Sequence, residues 1–131
     1  MVKIIQASGA RNESVARATI KDGKGKIQIN GKLLANFSDE MSRLRISEPL
    51  VLSGDLIKKV NISVRVNGGG INGQSDAVRL SIARALVEYD KKLKKVFDDY
   101  DRLLLVADVR RKEVCKPNDS KARAKRQKSY R

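Results

Sequence analysis

Histidine is absent from the chain, which removes imidazole general bases, Ser-His and Cys-His nucleophile pairs, and the commonest metal ligand. The single cysteine, Cys115, excludes an internal disulfide and a cysteine cluster for zinc, and reads as a small, half-buried side chain. Tryptophan is missing too. The few aromatics are Phe37, Tyr89, Phe97, Tyr100 and Tyr130, and none falls on an expected strand. Single-strand binders stack bases on strand aromatics, so phosphates and shape are the expected objects of recognition instead. No apolar run approaches the ~20 residues that cross a bilayer. Residues 1–10 lack a signal-peptide pattern, so the expected compartment is the cytoplasm, with no membrane partner.

Negative charge is scarce as well. The chain carries 29 Lys and Arg against 15 Asp and Glu, a net charge of +14 over 131 residues. Ten basic and two acidic residues lie between Arg110 and Arg131, so this end supplies +8 and residues 1–109 supply +6. From Ser120 to Arg131 there are six basic side chains and no acid, with only Ala122, Ala124 and Tyr130 as apolar or aromatic groups. Such a stretch cannot bury enough surface to offset its ordering entropy. It reads as an unfolded polycationic arm, and its natural partner is a phosphate backbone. The plainer alternative is a solvated solubility tail. The basic body implies that the same partner touches residues 1–109.

The length suits one domain with a modest core. Val2–Ala7 and Ser14–Lys21 read as strands, Asp22-Gly23-Lys24-Gly25 as a turn, and Lys26–Asn30 as the returning strand of a hairpin. Asn30-Gly31 turns the chain again. Ser38 is the expected N-cap of a helix to about Arg45, and Ser47-Glu48-Pro49 starts a second short helix ending at Gly54. Val60, Ile62, Val64 and Val66 alternate with polar residues, the clearest strand in the chain. Gln74–Tyr89 is a helix with Val78, Ile82, Ala85, Leu86 and Tyr89 on one stripe, and Arg79 and Arg84 leave that stripe to face outward. Lys91–Tyr100 is a further helix with Leu93, Val96, Phe97 and Tyr100 at helical spacing. Asp101–Val109 is a final buried segment.

Between that strand and that helix lies Gly68-Gly69-Gly70-Ile71-Asn72-Gly73-Gln74-Ser75. It satisfies GxGxxG, and it is one residue away from a P-loop. Amides at a helix N-terminus attract anions, so phosphate binding is one reading. The nucleotide-enzyme versions are weak. Gln74 stands where the P-loop needs Lys, and Asp90, at the spacing of a ribose ligand, closes a helix rather than a strand. Glycines required only for a sharp turn are the structural alternative. The other is a loop whose backbone approaches RNA phosphates.

The same glycine run, followed by Ala77 and then Ser81-Ile82-Ala83-Arg84-Ala85-Leu86, resembles the defining motif of the ninth small-subunit ribosomal protein family. Ser8–Arg17 resembles its opening segment and Gly23–Gly31 its hairpin. The tail from Lys121, ending Lys-Ser-Tyr-Arg, resembles the archaeal and eukaryotic form. Asn12, where Lys is usual, and Ser14, where Ala or Thr is usual, depart from the pattern; the first removes one phosphate contact.

The resemblance implies an α+β domain over residues 1–109, with a four-stranded sheet, helices packed on it, and a left-handed βαβ crossover. An extended basic C-terminal tail follows over residues 110–131. It implies a structural, non-catalytic constituent of the small ribosomal subunit, without cofactor or metal. The implied partners are small-subunit rRNA in the head, neighbouring head proteins and peptidyl-site tRNA. On this reading Arg11, Arg17, Lys24, Lys26, Arg79 and Arg84 neutralise phosphates around the body, with Gly68, Gly69, Gly70, Gly73 and Gln74 forming the RNA-facing loop. Arg110, Arg111, Lys112 and Lys116 anchor the root of the tail, and Lys121, Arg123, Lys125 and Arg126 line its path. Lys128, Ser129, Tyr130 and Arg131 form the tip that meets tRNA. Six tail phosphate contacts correspond to a log-log salt slope of about −4 to −5. The rivals are a nucleotide-dependent enzyme and a basic nucleic-acid binder outside the ribosome.

Overall fold

Alternation of small or branched apolar residues with polar ones builds the sheet. The computed structural model describes residues 4–37, 39–107 and 110. Strand β1 (Ile4–Arg11) turns through Asn12 and Glu13 into β2 (Ser14–Asp22), and Asn12 accepts a left-handed φ of 54°. Strand β3 (Ile27–Ile29) turns at Asn30-Gly31 into β4 (Lys32–Leu33). Helix α1 (Glu40–Leu52) follows, then strand β5 (Val60–Asn67), helix α2 (Ile71–Tyr89) and helix α3 (Leu93–Tyr100). The last of three short 3₁₀ segments, Arg102–Leu104, ends the described elements.

The sheet runs β1-β2-β5-β3-β4. Only β3 and β5 are parallel; the other neighbours are antiparallel. The fold is therefore α+β with a mixed sheet of five strands rather than four, the fifth being the two-residue edge β4. Helices cover one face. Ala16, Ala18, Ile20, Ile62, Val64 and Val66 point inward to meet Ala77, Val78, Ile82, Ala85 and Leu86 of α2. On the other face Gln6, Ser8, Arg17, Ser63 and Arg65 are exposed, and none of them belongs to the buried core.

Glycine decides how closely the layers approach. Gly9 lies under α2, where an added Cβ would stand 2.8 Å from the Ala77 carbonyl oxygen and the Ser81 amide. Strand β1 therefore continues through Gly9 to Arg11, beyond the expected end at Ala7, because α2 seats directly on the bare backbone.

Other boundaries moved for packing reasons. The two helices expected on either side of Ser47-Glu48-Pro49 are one helix, α1, with Pro49 buried inside it. Loss of one amide donor is offset there by burial of the proline ring. Asp39 is the N-cap, its side chain accepting from the Ser42 amide at 3.1 Å; Ser38, the expected cap, lies outside the described residues. Gly54, at φ 64°, ends the helix as expected. Helix α2 starts at Ile71, before Gln74. In α3 only Leu93 and Phe97 turn inward, while Val96 and Tyr100 are exposed. Of the expected buried segment after it, Leu104 is buried but Leu103 and Val106 are exposed.

Candidate nucleic-acid interface

The glycine loop is shaped by its neighbours. Gly68 and Gly69 take φ of 80° and 65°, conformations a side chain resists. Both lie against the β1–β2 turn, and an added Cβ on Gly68 would reach 2.5 Å from the Glu13 carbonyl oxygen. The Ser14 hydroxyl donates to the Gly68 carbonyl at 2.9 Å, and the Gln74 side-chain Nε2 donates to the same oxygen at 3.0 Å. Gln74 thus closes the turn where a P-loop would place Lys. Gly73 approaches Ser14 Oγ, and Gly70 alone faces open space, as a helix N-cap without a side-chain bond. After α2 comes another helix and no strand, among the described residues. The dinucleotide reading needs that strand, and Asp90 caps the helix end instead.

A charged cleft of about 330 Å³ opens beside the loop, lined by Arg11, Arg45, Glu48, Asp76, Arg79, Asp101 and Arg110, among others. Arg45 pairs with Asp76 at 3.0 Å, and Arg11 reaches the same carboxylate at 3.8 Å. Arg11 also donates to the Arg110 carbonyl oxygen at 2.9 Å.

Arg79 does not face outward. Its side chain is 12% exposed, with Nε donating to Glu48 Oε2 at 2.9 Å and Nη2 to Glu48 Oε2 and Asp101 Oδ2. Arg84 is half-buried, donating to the Leu105 and Ser8 carbonyl oxygens at 3.1 and 3.0 Å. A helix against a sheet has one buried stripe, but α2 is also flanked by α1 and by the segment after α3. Side chains that leave the first stripe therefore meet a second wall.

The outward cations lie elsewhere. Lys24 and Lys26 are exposed on the β2–β3 turn, and the Asn61 side-chain oxygen accepts both of their backbone amides at 3.0 Å. Gly23 and Gly25 donate to the Lys59 and Val60 carbonyls, so Lys58 and Lys59 sit beside this turn. The sequence reading missed Lys58 and Lys59, because the residues between that turn and β5 hide their proximity. Arg17 is exposed on β2. Arg111, Lys112, Lys116, Lys121, Arg123, Lys125, Arg126, Lys128, Ser129, Tyr130 and Arg131 lie outside the described residues.

No group of three His, Cys, Asp or Glu suited to a metal occurs among the described residues, and no described helix is long and apolar enough to cross a membrane. Sheet, ion-paired cleft and exposed lysine turn together define a basic α+β scaffold, with charge fixed on rigid elements. A family model described as ribosomal protein S9/S16 matches residues 9–131. The small ribosomal subunit protein uS9 of Pyrobaculum aerophilum is 46% identical over 131 residues, covering 98% of this chain and 92% of that protein. Proteins of the same name from Methanothrix thermoacetophila and Methanococcus maripaludis are 42% and 43% identical, each covering 99% of this chain and all of the relative. The chain belongs to the ribosomal protein S9/S16 family. It is accordingly a structural ribosomal protein working in the cytoplasm, not an enzyme.

Proposed function

We propose that this chain is a structural constituent of the small ribosomal subunit, folded on residues 1–109 and extended on residues 110–131. The body packs against rRNA in the subunit head, beside neighbouring head proteins, and the tail runs toward peptidyl-site tRNA. Similarity to small-subunit proteins along nearly the whole chain carries this reading. On the body, exposed Arg17, Lys24 and Lys26 meet phosphates, with Arg11 at the cleft and the Gly68–Gly70 backbone at the end of α2. Arg79 and Arg84 hold the helices and the chain after α3 in place for them. The tail supplies the root, path and tip contacts assigned to its basic residues. The parallel β3–α1–β5 crossover is read as left-handed, the rarer sense and the one the family resemblance implies.

Sedimentation of native lysate through a sucrose gradient after a moderate salt wash tests the assignment. Near-stoichiometric co-migration with small subunits is expected, and a signal confined to light fractions would overturn it. Deletion of Lys128–Arg131 should weaken peptidyl-site tRNA binding modestly while leaving subunit incorporation intact. Unchanged tRNA affinity sinks the role of the tip.

A further inference from the structure

The sheet's uncovered face carries no acid and no aromatic side chain among its described positions. Register sets Gln6, Thr19, Ser63 and Gln28 in one row across four strands. The next row is Ser8, Arg17 and Arg65. Arg17 and Arg65 stand directly opposite one another across the antiparallel β2–β5 pair, both exposed. Neither has an ion-pair partner among the described residues. Directly opposed like charges destabilise a sheet. Arg11, Arg45 and Arg79, by contrast, each have a carboxylate.

We propose that this open face is a docking surface for the backbone of double-stranded RNA, with Arg17 and Arg65 together clamping phosphate. The proposal rests on the RNA-binding reading above and adds the surface and Arg65. Charge complementarity commits the face to a polyanion. The guanidinium pair matches phosphate oxygens. The row of hydroxyls and amides suits 2′-hydroxyls in the shallow minor groove of A-form RNA. Strands without rings on this face have nothing on which to stack splayed bases, which disfavours a single strand. Lys21 extends the face toward the Lys24–Lys26 turn.

The experiment uses the full chain with a small-subunit rRNA transcript, measured over a range of salt with competitor tRNA. Arg65→Gln is compared with Lys95→Gln, which removes an exposed charge on α3, and with a chain lacking 120–131. Arg65→Gln should weaken binding about three- to tenfold and reduce the log-log salt slope by about 0.9, whereas Lys95→Gln should do neither. In the free chain, Arg65→Gln should raise Tm by about 1–4 °C, because the opposed charge is gone. RNA affinity unchanged in Arg65→Gln but reduced by tail deletion overturns the docking face and leaves the RNA reading standing. Affinity unchanged in both removes the RNA reading itself. Full RNA affinity with failed subunit incorporation assigns the face to a neighbouring protein and likewise overturns the proposal. A lowered Tm shows that the pair is satisfied within the folded chain, against the clamp.

Discussion

Replacing Arg79 separates a structural cation from an RNA ligand. Its guanidinium ties α2 to Glu48 of α1 and to Asp101 after α3, through three charge-assisted hydrogen bonds. Arg79→Met keeps much of the apolar stem and leaves two carboxylates without their cation. A fully exposed pair contributes ~0–1 kcal/mol, and breaking a buried one costs ~3–5 kcal/mol. The arginine is 12% exposed but the carboxylates are 34% and 38% exposed, so solvent screens part of the interaction. The expected loss is about 2 kcal/mol, which for a domain of this size lowers Tm by about 6–12 °C. Urea unfolding followed by circular dichroism measures it, with Glu48→Gln and the double variant completing a cycle whose coupling should be about 1 kcal/mol. Salt-dependent RNA binding, measured well below the lowered Tm, should keep its slope. A wild-type unfolding midpoint, combined with a slope smaller by about 0.9, would refute the structural assignment and make Arg79 a phosphate ligand.

Gly9→Ala should cost about 1–3 kcal/mol in urea unfolding, since its methyl meets the α2 backbone, whereas Ser8→Ala on the open face should stay within about 0.5 kcal/mol. Equal midpoints for the two would mean that α2 does not seat on β1. Asn61→Ala removes the acceptor shared by the Lys24 and Lys26 amides and should cost about 1–2 kcal/mol, with faster hydrogen exchange at both. Protected amides in that variant would contradict a turn organised by Asn61. Asp39 should titrate below its ordinary value, because the Ser42 hydroxyl and then its amide bond to the carboxylate. Its contribution to helix α1 is thus present above the ordinary aspartate pKa and is lost as pH falls through the lowered native one. An NMR midpoint at or above the ordinary value rules out that cap.

Much of this protein is local, and local features are legible in a sequence. The alternation of Val60, Ile62, Val64 and Val66 became β5 with those four side chains buried. Gly54 ended α1, Asn30-Gly31 made a turn, and the lack of histidine and of paired cysteines removed imidazole- and thiolate-cluster chemistry. Each of these depends on a residue's own conformational range, on a short period or on composition. Family membership was legible too, because its motifs are contiguous.

The remainder depends on which segments meet. Pro49 sits within a helix because burial of its ring on the inner side of α1 outweighs one missing donor. Gly9 is required by α2, which lies some seventy residues further along the chain. Arg79 and Arg84 leave the apolar stripe, as their spacing dictates, yet α1 and the segment after α3 supply acceptors where one helix against one sheet predicts water. Gly68 and Gly69 fit a phosphate motif by spacing, while their conformation and closeness to Glu13 and Ser14 are demands of the turn. Arg17 was visible as a cation. That it stands opposite Arg65, with no ion-pair partner for either among the described residues, follows from strand register, which no single strand specifies. Local pattern was enough for most elements and for the sign of the surface. Long-range packing decided which cations are neutralised inside the fold and which remain outward for a polyanion.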